Sequence, residues 1–76
     1  MADSTEEAFT RFVSAYVPDT VLNGTVRMVV PFGAFVRVAE GVDGLLVGEQ
    51  PAEGSEVRVR VLEIDTDRLR MSLALA

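Results

Sequence analysis

The chain of 76 residues has no cysteine and no histidine, and none of its seven basic residues is lysine. Without cysteine there is no disulfide framework and no thiolate nucleophile. Without either residue there is no nitrogen or sulfur metal site and no usual general base near neutrality. The carboxylates that remain do not rescue a catalytic reading. Asp65 and Asp67 share one turn with Arg68, an arrangement that serves turn stability more often than acid–base work. No glycine-rich loop follows a strand and opens a helix, so a phosphate cradle is also excluded. No enzymatic activity, cofactor or metal is expected. The sequence also lacks a basic N-terminal stretch and a long apolar run, and it carries Asp3, Glu6 and Glu7 near its start. Neither a secretory signal nor a membrane span is predicted, and a cytoplasmic protein is the expectation.

What is present suits one small domain. About half the residues are apolar and 25% are charged, within the range of ordinary globular chains. A domain of this length buries only about 60 to 65% of its unfolded surface, so its stability should be modest. The formal net charge is −5, which opposes the phosphate neutralisation that supplies most non-specific nucleic-acid affinity. The charge is unevenly placed. Residues 1–21 hold one Arg against four acids, and residues 22–76 hold six Arg against eight. The larger segment is close to neutral, and its basic groups are all the planar fork that suits phosphate contacts and stacking.

The pattern changes once along the chain. Ser4-Thr5-Glu6-Glu7 reads as a capping box. Phe9, Phe12, Val13 and Tyr16 follow at helical spacing, and Pro18 ends the run. A helix of about 13 residues is marginal alone and must bury its apolar stripe on something. From Thr20 the period is two. Val21, Thr25 and Val29 punctuate a first strand to Val30, and a second runs from Gly33 to Ala39. Gly41-Val42-Asp43-Gly44 reads as a tight turn into a short third strand through Val47. After turn-forming residues 48–54, Val57, Val59 and Val61 alternate with Arg58 and Arg60. Leu69, Met71, Leu73 and Leu75 then alternate with Arg70 and Ser72. The expected organisation is a helix and lead-in over 1–19 and five strands over 20–76.

Four ordered blocks between Gly24 and Leu73 carry a more specific signal. They are Gly24-Thr25-Val26-Arg27 leading to Pro31-Phe32-Gly33-Ala34-Phe35, then Gly41-Val42-Asp43-Gly44-Leu45-Leu46, then Val59 to Asp65, and Arg68-Leu69-Arg70-Met71-Ser72-Leu73. Together they resemble the S-one RNA-binding domain, repeated in the largest protein of the bacterial small ribosomal subunit. The resemblance implies an all-β fold, a five-stranded antiparallel Greek-key barrel of the oligonucleotide-binding (OB) kind, here preceded by one α-helix. The stretch from Phe12 to Gly24 also looks like the lead-in between successive repeats.

The resemblance further implies a site. Aromatic residues matching Phe32 and Phe35 lie on the family's RNA-binding face, where a ring offers about 1 to 3 kcal/mol per stacked base. From alternation alone the two rings fall on opposite faces, whereas a bulge at Gly33 would bring them together. Asp65 and Arg68 match positions beside the aromatic pair. Arg68 is a candidate for phosphate contact, and Asp65 for orienting Arg68 or accepting from a base edge or a 2′-hydroxyl. Both could instead simply stabilise a turn. Arg37 and Arg70, outward by parity, are candidates for a basic rim. The chain departs from the family's pattern at Val47, where a histidine is common, and in the short connection 48–54. Two functions follow as expectations. The first is a monomeric module that binds single-stranded RNA weakly, in translation or RNA metabolism. The second is a degenerate barrel that docks ribosomal or RNA-processing proteins through its helix or open face.

Overall fold

The computed structural model describes residues 4–76, with side chains from Glu6 onward. Helix α1 spans Ser4–Ala15, and five strands follow: β1 Val21–Val30, β2 Gly33–Ala39, β3 Val42–Val47, β4 Glu56–Asp65 and β5 Arg70–Leu75. The strands close into one barrel in the order β1-β2-β3-β5-β4. Four neighbouring pairs are antiparallel, and β3 with β5 is parallel. An odd number of strands cannot alternate direction all the way round a closed ring, so one parallel seam is unavoidable. This is the OB-type barrel expected from the sequence.

The core comes from residues that alternate inward: Val26 of β1, Ala34 and Val36 of β2, Val42 and Leu46 of β3, Val59 of β4, and Met71 and Leu73 of β5. Two glycines sit in strands because the core leaves no room for a side chain. A Cβ on Gly24 would collide with Val36, and one on Gly44 would stand 2.8 Å from both Leu73 Cδ1 and Met71 Cγ. The third strand accordingly begins at Val42, and the turn before it is Glu40-Gly41. Asp43 and Gly44, expected in a turn, are strand residues, and Gly44 is chosen for close packing rather than for a bend. In β1 the buried inward residues are Gly24 and Val26, while Thr25 faces solvent. The ladder with β2 shifts register between Val26 and Met28, which turns Met28 outward opposite Phe35 and leaves Val29 opposite the buried Ala34, 38% exposed near the end of the strand. A second irregularity lies between Val61 and Glu63 in the β4–β5 ladder and leaves Leu62 exposed. Leu75, expected inward, is 45% exposed at the end of β5.

The helix plugs the barrel. Phe9 is 3% exposed and joins the core cluster, with Ala8, Phe12 and Val13 packed against it. The Phe12 and Tyr16 rings stack with centroids 5.7 Å apart. The Tyr16 hydroxyl donates to the Thr20 carbonyl at 3.2 Å and accepts from the Val61 N–H at 3.4 Å. That hydroxyl ties the lead-in to β4. Phe9 is spent in the core, and the rest of the stripe, Phe12, Val13 and Tyr16, is partly buried. The capping interaction expected at Ser4 rests on a side chain outside the described residues. Among those residues, no helix is long and apolar enough to cross a membrane.

Candidate nucleic-acid interface

The β1–β2 turn sets up the site. Pro31 and Phe32 form it, and the Phe32 carbonyl accepts the Gly48 N–H at 3.1 Å. Immediately afterwards Gly33 lies so close to β3 that a Cβ would strike the Leu46 carbonyl oxygen. The backbone is therefore pressed onto the sheet at Gly33 and released at Phe32, whose ring is 59% exposed. Phe35 is reached differently. It lies on the outward row of β2, half-buried, with Met28 opposite on β1 and Leu45 on β3. Simple alternation does not separate the two rings, because Phe32 belongs to the turn and not to the strand. Register is continuous through Gly33, so no bulge there is needed either.

Both rings line one open groove, which crosses the outer faces of β3 and β5 to the end of β4 and the β4–β5 turn. Leu45 and Ser72 form its floor, one opposite the other across the parallel seam. Its charged groups are Asp43, Glu63, Asp65, Asp67 and Arg70, four carboxylates against one guanidinium. The hydroxyls of Thr66 and Ser72 add further acceptors and donors. The groove thus pairs an apolar shelf with a wall made mainly of hydrogen-bond acceptors.

The other residues singled out from the sequence are placed as follows. Arg70 lines the groove opposite Asp65. Arg68 is exposed in the adjoining turn and is not among the lining residues. Asp65 Oδ1 accepts the backbone N–H groups of Asp67 at 3.1 Å and Arg68 at 3.2 Å. Its carboxylate organises the turn backbone, which suits aspartate in tight turns. Arg37 lies outside the groove. Its Nε donates to Asp43 Oδ1 at 2.9 Å and its Nη2 to Oδ2 at 3.5 Å. That hydrogen bond, and then the charge of Asp43, raise the Arg37 pKa above its ordinary value. Arg37 lines a second cleft with Arg11 and Phe12, between α1 and the barrel. Val47 is exposed on the outward row of β3 opposite Gly33, beyond the groove's lining. The short connection after it is tied down where Gln50 Nε2 donates to the Val30 carbonyl at 2.6 Å.

Sequence reasoning missed Leu45, Glu63 and Ser72 as groove residues. Leu45 was recoverable, since Gly44 and Leu46 are inward and alternation then sends Asp43 and Leu45 out. Ser72 was read as outward but not as part of the site, because the β3–β5 seam is a long-range pairing. Glu63 follows the irregularity at Leu62, which the local pattern does not reveal.

By its closed five-stranded barrel and outward aromatic pair, the chain is of the oligonucleotide-binding class of fold. No family model matches it. Small ribosomal subunit protein bS1 of Mycobacterium leprae is 35% identical to it over 82 residues, which take in 92% of this chain and 17% of that protein. Among solved structures, GSP13 from Bacillus subtilis superposes with a TM-score of 0.68 at 28% identity, covering 79% of this chain and 55% of that one. The apo form of Mycoplasma genitalium RNase R gives 0.74 over 99% of this chain and 15% of that one, at 16% identity, a likeness of fold alone. The chain belongs to the S-one domain family. It spans less than a fifth of the length of the bS1 proteins it matches.

Proposed function

We propose that the chain is a single-stranded RNA-binding module, and that the groove beside Phe32 is where the strand lies. The observation that carries this reading is the exposed Phe32 ring beside Phe35 on one groove. A small barrel gains nothing in stability from leaving such a ring in water, whereas any base can stack on it. Bases lie on Phe32 and Phe35. The carboxylates, Thr66 and Ser72 meet base edges and 2′-hydroxyls. The phosphates face outward, where Arg70 and the nearby Arg68 reach them. The relationship to bS1, by name a protein of the small ribosomal subunit, supports a role in translation or RNA metabolism. Affinity is weak, because only two arginines meet phosphate, and the same two contacts set a logarithmic salt slope of about −1.4. The module acts as a monomer and carries out no chemistry. The docking reading loses its best surface, since Phe9, Phe12 and Tyr16 are packed on the barrel.

The test is an NMR titration of labelled protein with a short single-stranded RNA of mixed sequence at low salt. Shifts gathered on Phe32, Phe35, Leu45, Ser72 and Arg70 are expected. A folded domain that stays silent, or one that responds only on α1, overturns the reading.

A further inference from the structure

The charge of the barrel is divided between two sides. Along β4 the sign changes at the irregularity: Arg58 and Arg60 precede Leu62, while Glu63 and Asp65 follow it. The acidic half borders the aromatic groove. The basic half pairs with β1, with Arg58 opposite Asn23 and Arg60 opposite Val21. Arg27 lies further along β1, two residues beyond Thr25, and is exposed like Arg58 and Arg60. Glu56, opposite Thr25, is the acid in this row. Among the described residues the ion pair is Arg37–Asp43, so the three guanidinium groups here have no carboxylate within salt-bridge distance. Arg58 and Arg60 point the same way about 7 Å apart, from the rise of a strand, with the Asn23 amide and Thr25 hydroxyl beside them.

From this arrangement we infer that the outer face of β1 and the first half of β4 is a second nucleic-acid surface, one that holds the phosphate backbone of double-stranded RNA. Guanidinium forks, an amide and a hydroxyl form a phosphate-binding donor set. Among the described residues no fully exposed aromatic ring stands on this face: the nearest, Tyr16, is partly buried, stacked on Phe12 and held by its hydroxyl to Thr20 and Val61. Phe9 is in the core, Phe12 and Tyr16 pack at the helix, and Phe32 and Phe35 line the groove. Unpaired bases therefore gain little there, and a duplex, whose bases are already paired and stacked on one another, loses nothing by the lack of an exposed ring. The surface is independent of the groove, on the other side of β4's change of sign, and does not need the single-strand reading to hold.

The experiment is fluorescence anisotropy of a labelled short RNA duplex with the full chain across a salt series. Three phosphate contacts at about 0.9 each give a logarithmic salt slope of about −2.7, and R58E/R60E should reduce it to about −0.9 or abolish binding. F32A/F35A should leave duplex binding unchanged while removing single-strand binding. If charge reversal disturbs folding, R58Q/R60Q carries the same test, since it removes the charges and keeps polar side chains. A duplex that fails to bind at low salt, binding indifferent to both Arg variants, or duplex binding lost in F32A/F35A overturns the inference.

Discussion

Replacing Phe32 or Phe35 by alanine separates the site from the fold, because the two rings hold the barrel to different degrees. Phe32 is more than half exposed, and its turn is tied by its own carbonyl, which alanine retains. Its loss should change stability by no more than about 0.5 kcal/mol. Phe35 meets Met28 and Leu45 across two ladders, and each such pair is worth about 0.2 to 1 kcal/mol. A domain of this size has about 4 to 11 kcal/mol to lose, so both variants remain folded. Each ring that stacks a base contributes about 1 to 3 kcal/mol to binding, equivalent to about 5- to 150-fold in affinity. If each ring stacks its own base, the two losses add, and the double variant falls by about 2 to 6 kcal/mol. Calorimetric or anisotropy titrations with one single-stranded RNA, run on all three variants after circular dichroism has established folding, read these numbers directly. Affinities within about twofold of the parent for both single variants would refute the stacking argument, however exposed the Phe32 ring is.

Three further outcomes test the structural reasoning. Gly44→Ala drives a methyl group against Leu73 and Met71, both held in the core, and should cost about 1 to 3 kcal/mol in urea denaturation; an unchanged midpoint would mean that the seam between β3 and β5 is loosely packed. Asp65→Ala removes the acceptor of two turn N–H groups and should cost about 1 kcal/mol. That loss appears as a fall in melting temperature of about 4 to 8 °C. Asp65→Asn should recover most of it, and a melting temperature independent of both changes would deny the turn role. Phe9→Ala empties the helix plug and should cost about 3 to 5 kcal/mol. Hydrogen exchange should then show α1 and the adjoining end of β3 opening first; uniform destabilisation would indicate that the helix is not a separate plug.

Local patterning made most of the architecture legible. The stripe from Phe9 to Tyr16 specified a helix that must bury one face, and Val57, Val59 and Val61 specified a strand with its arginines outward. Errors arose where a side chain's direction depends on a partner strand. Gly44 looks like a turn residue in sequence, yet it is a packing residue whose reason, Leu73 and Met71, lies nearly 30 positions away. Register shifts beside Arg27 and Leu62 reverse the in-and-out assignment beyond them, and nothing in the local sequence announces either. The site shows the same division. Phe32 and Phe35 were nameable from their motif, but their meeting on one groove follows from the turn's close approach to β3. Arg37 was correctly outward and still lies away from the rings, because Asp43 holds it on the helix side.

The net charge of −5 opposes a nucleic-acid reading only while it is treated as a single number. In the groove, four carboxylates around two rings repel a phosphate chain but do not repel a base, whose amino and imino hydrogens are donors. A strand entering this groove lowers its energy by turning its bases inward and its phosphates toward solvent and Arg70. The same acidity penalises a duplex, whose bases are stacked inside and cannot reach the rings while its phosphates meet the carboxylates. On the β1–β4 face the preference is inverted, since guanidinium groups without rings reward backbone and ignore bases. The two faces thus select opposite states of one polymer, and the net charge, their sum with the helix, reports neither. Salt therefore separates them: single-strand affinity at the groove should fall with a logarithmic slope of about −1.4, whereas duplex affinity at the basic face should fall about twice as steeply, at about −2.7.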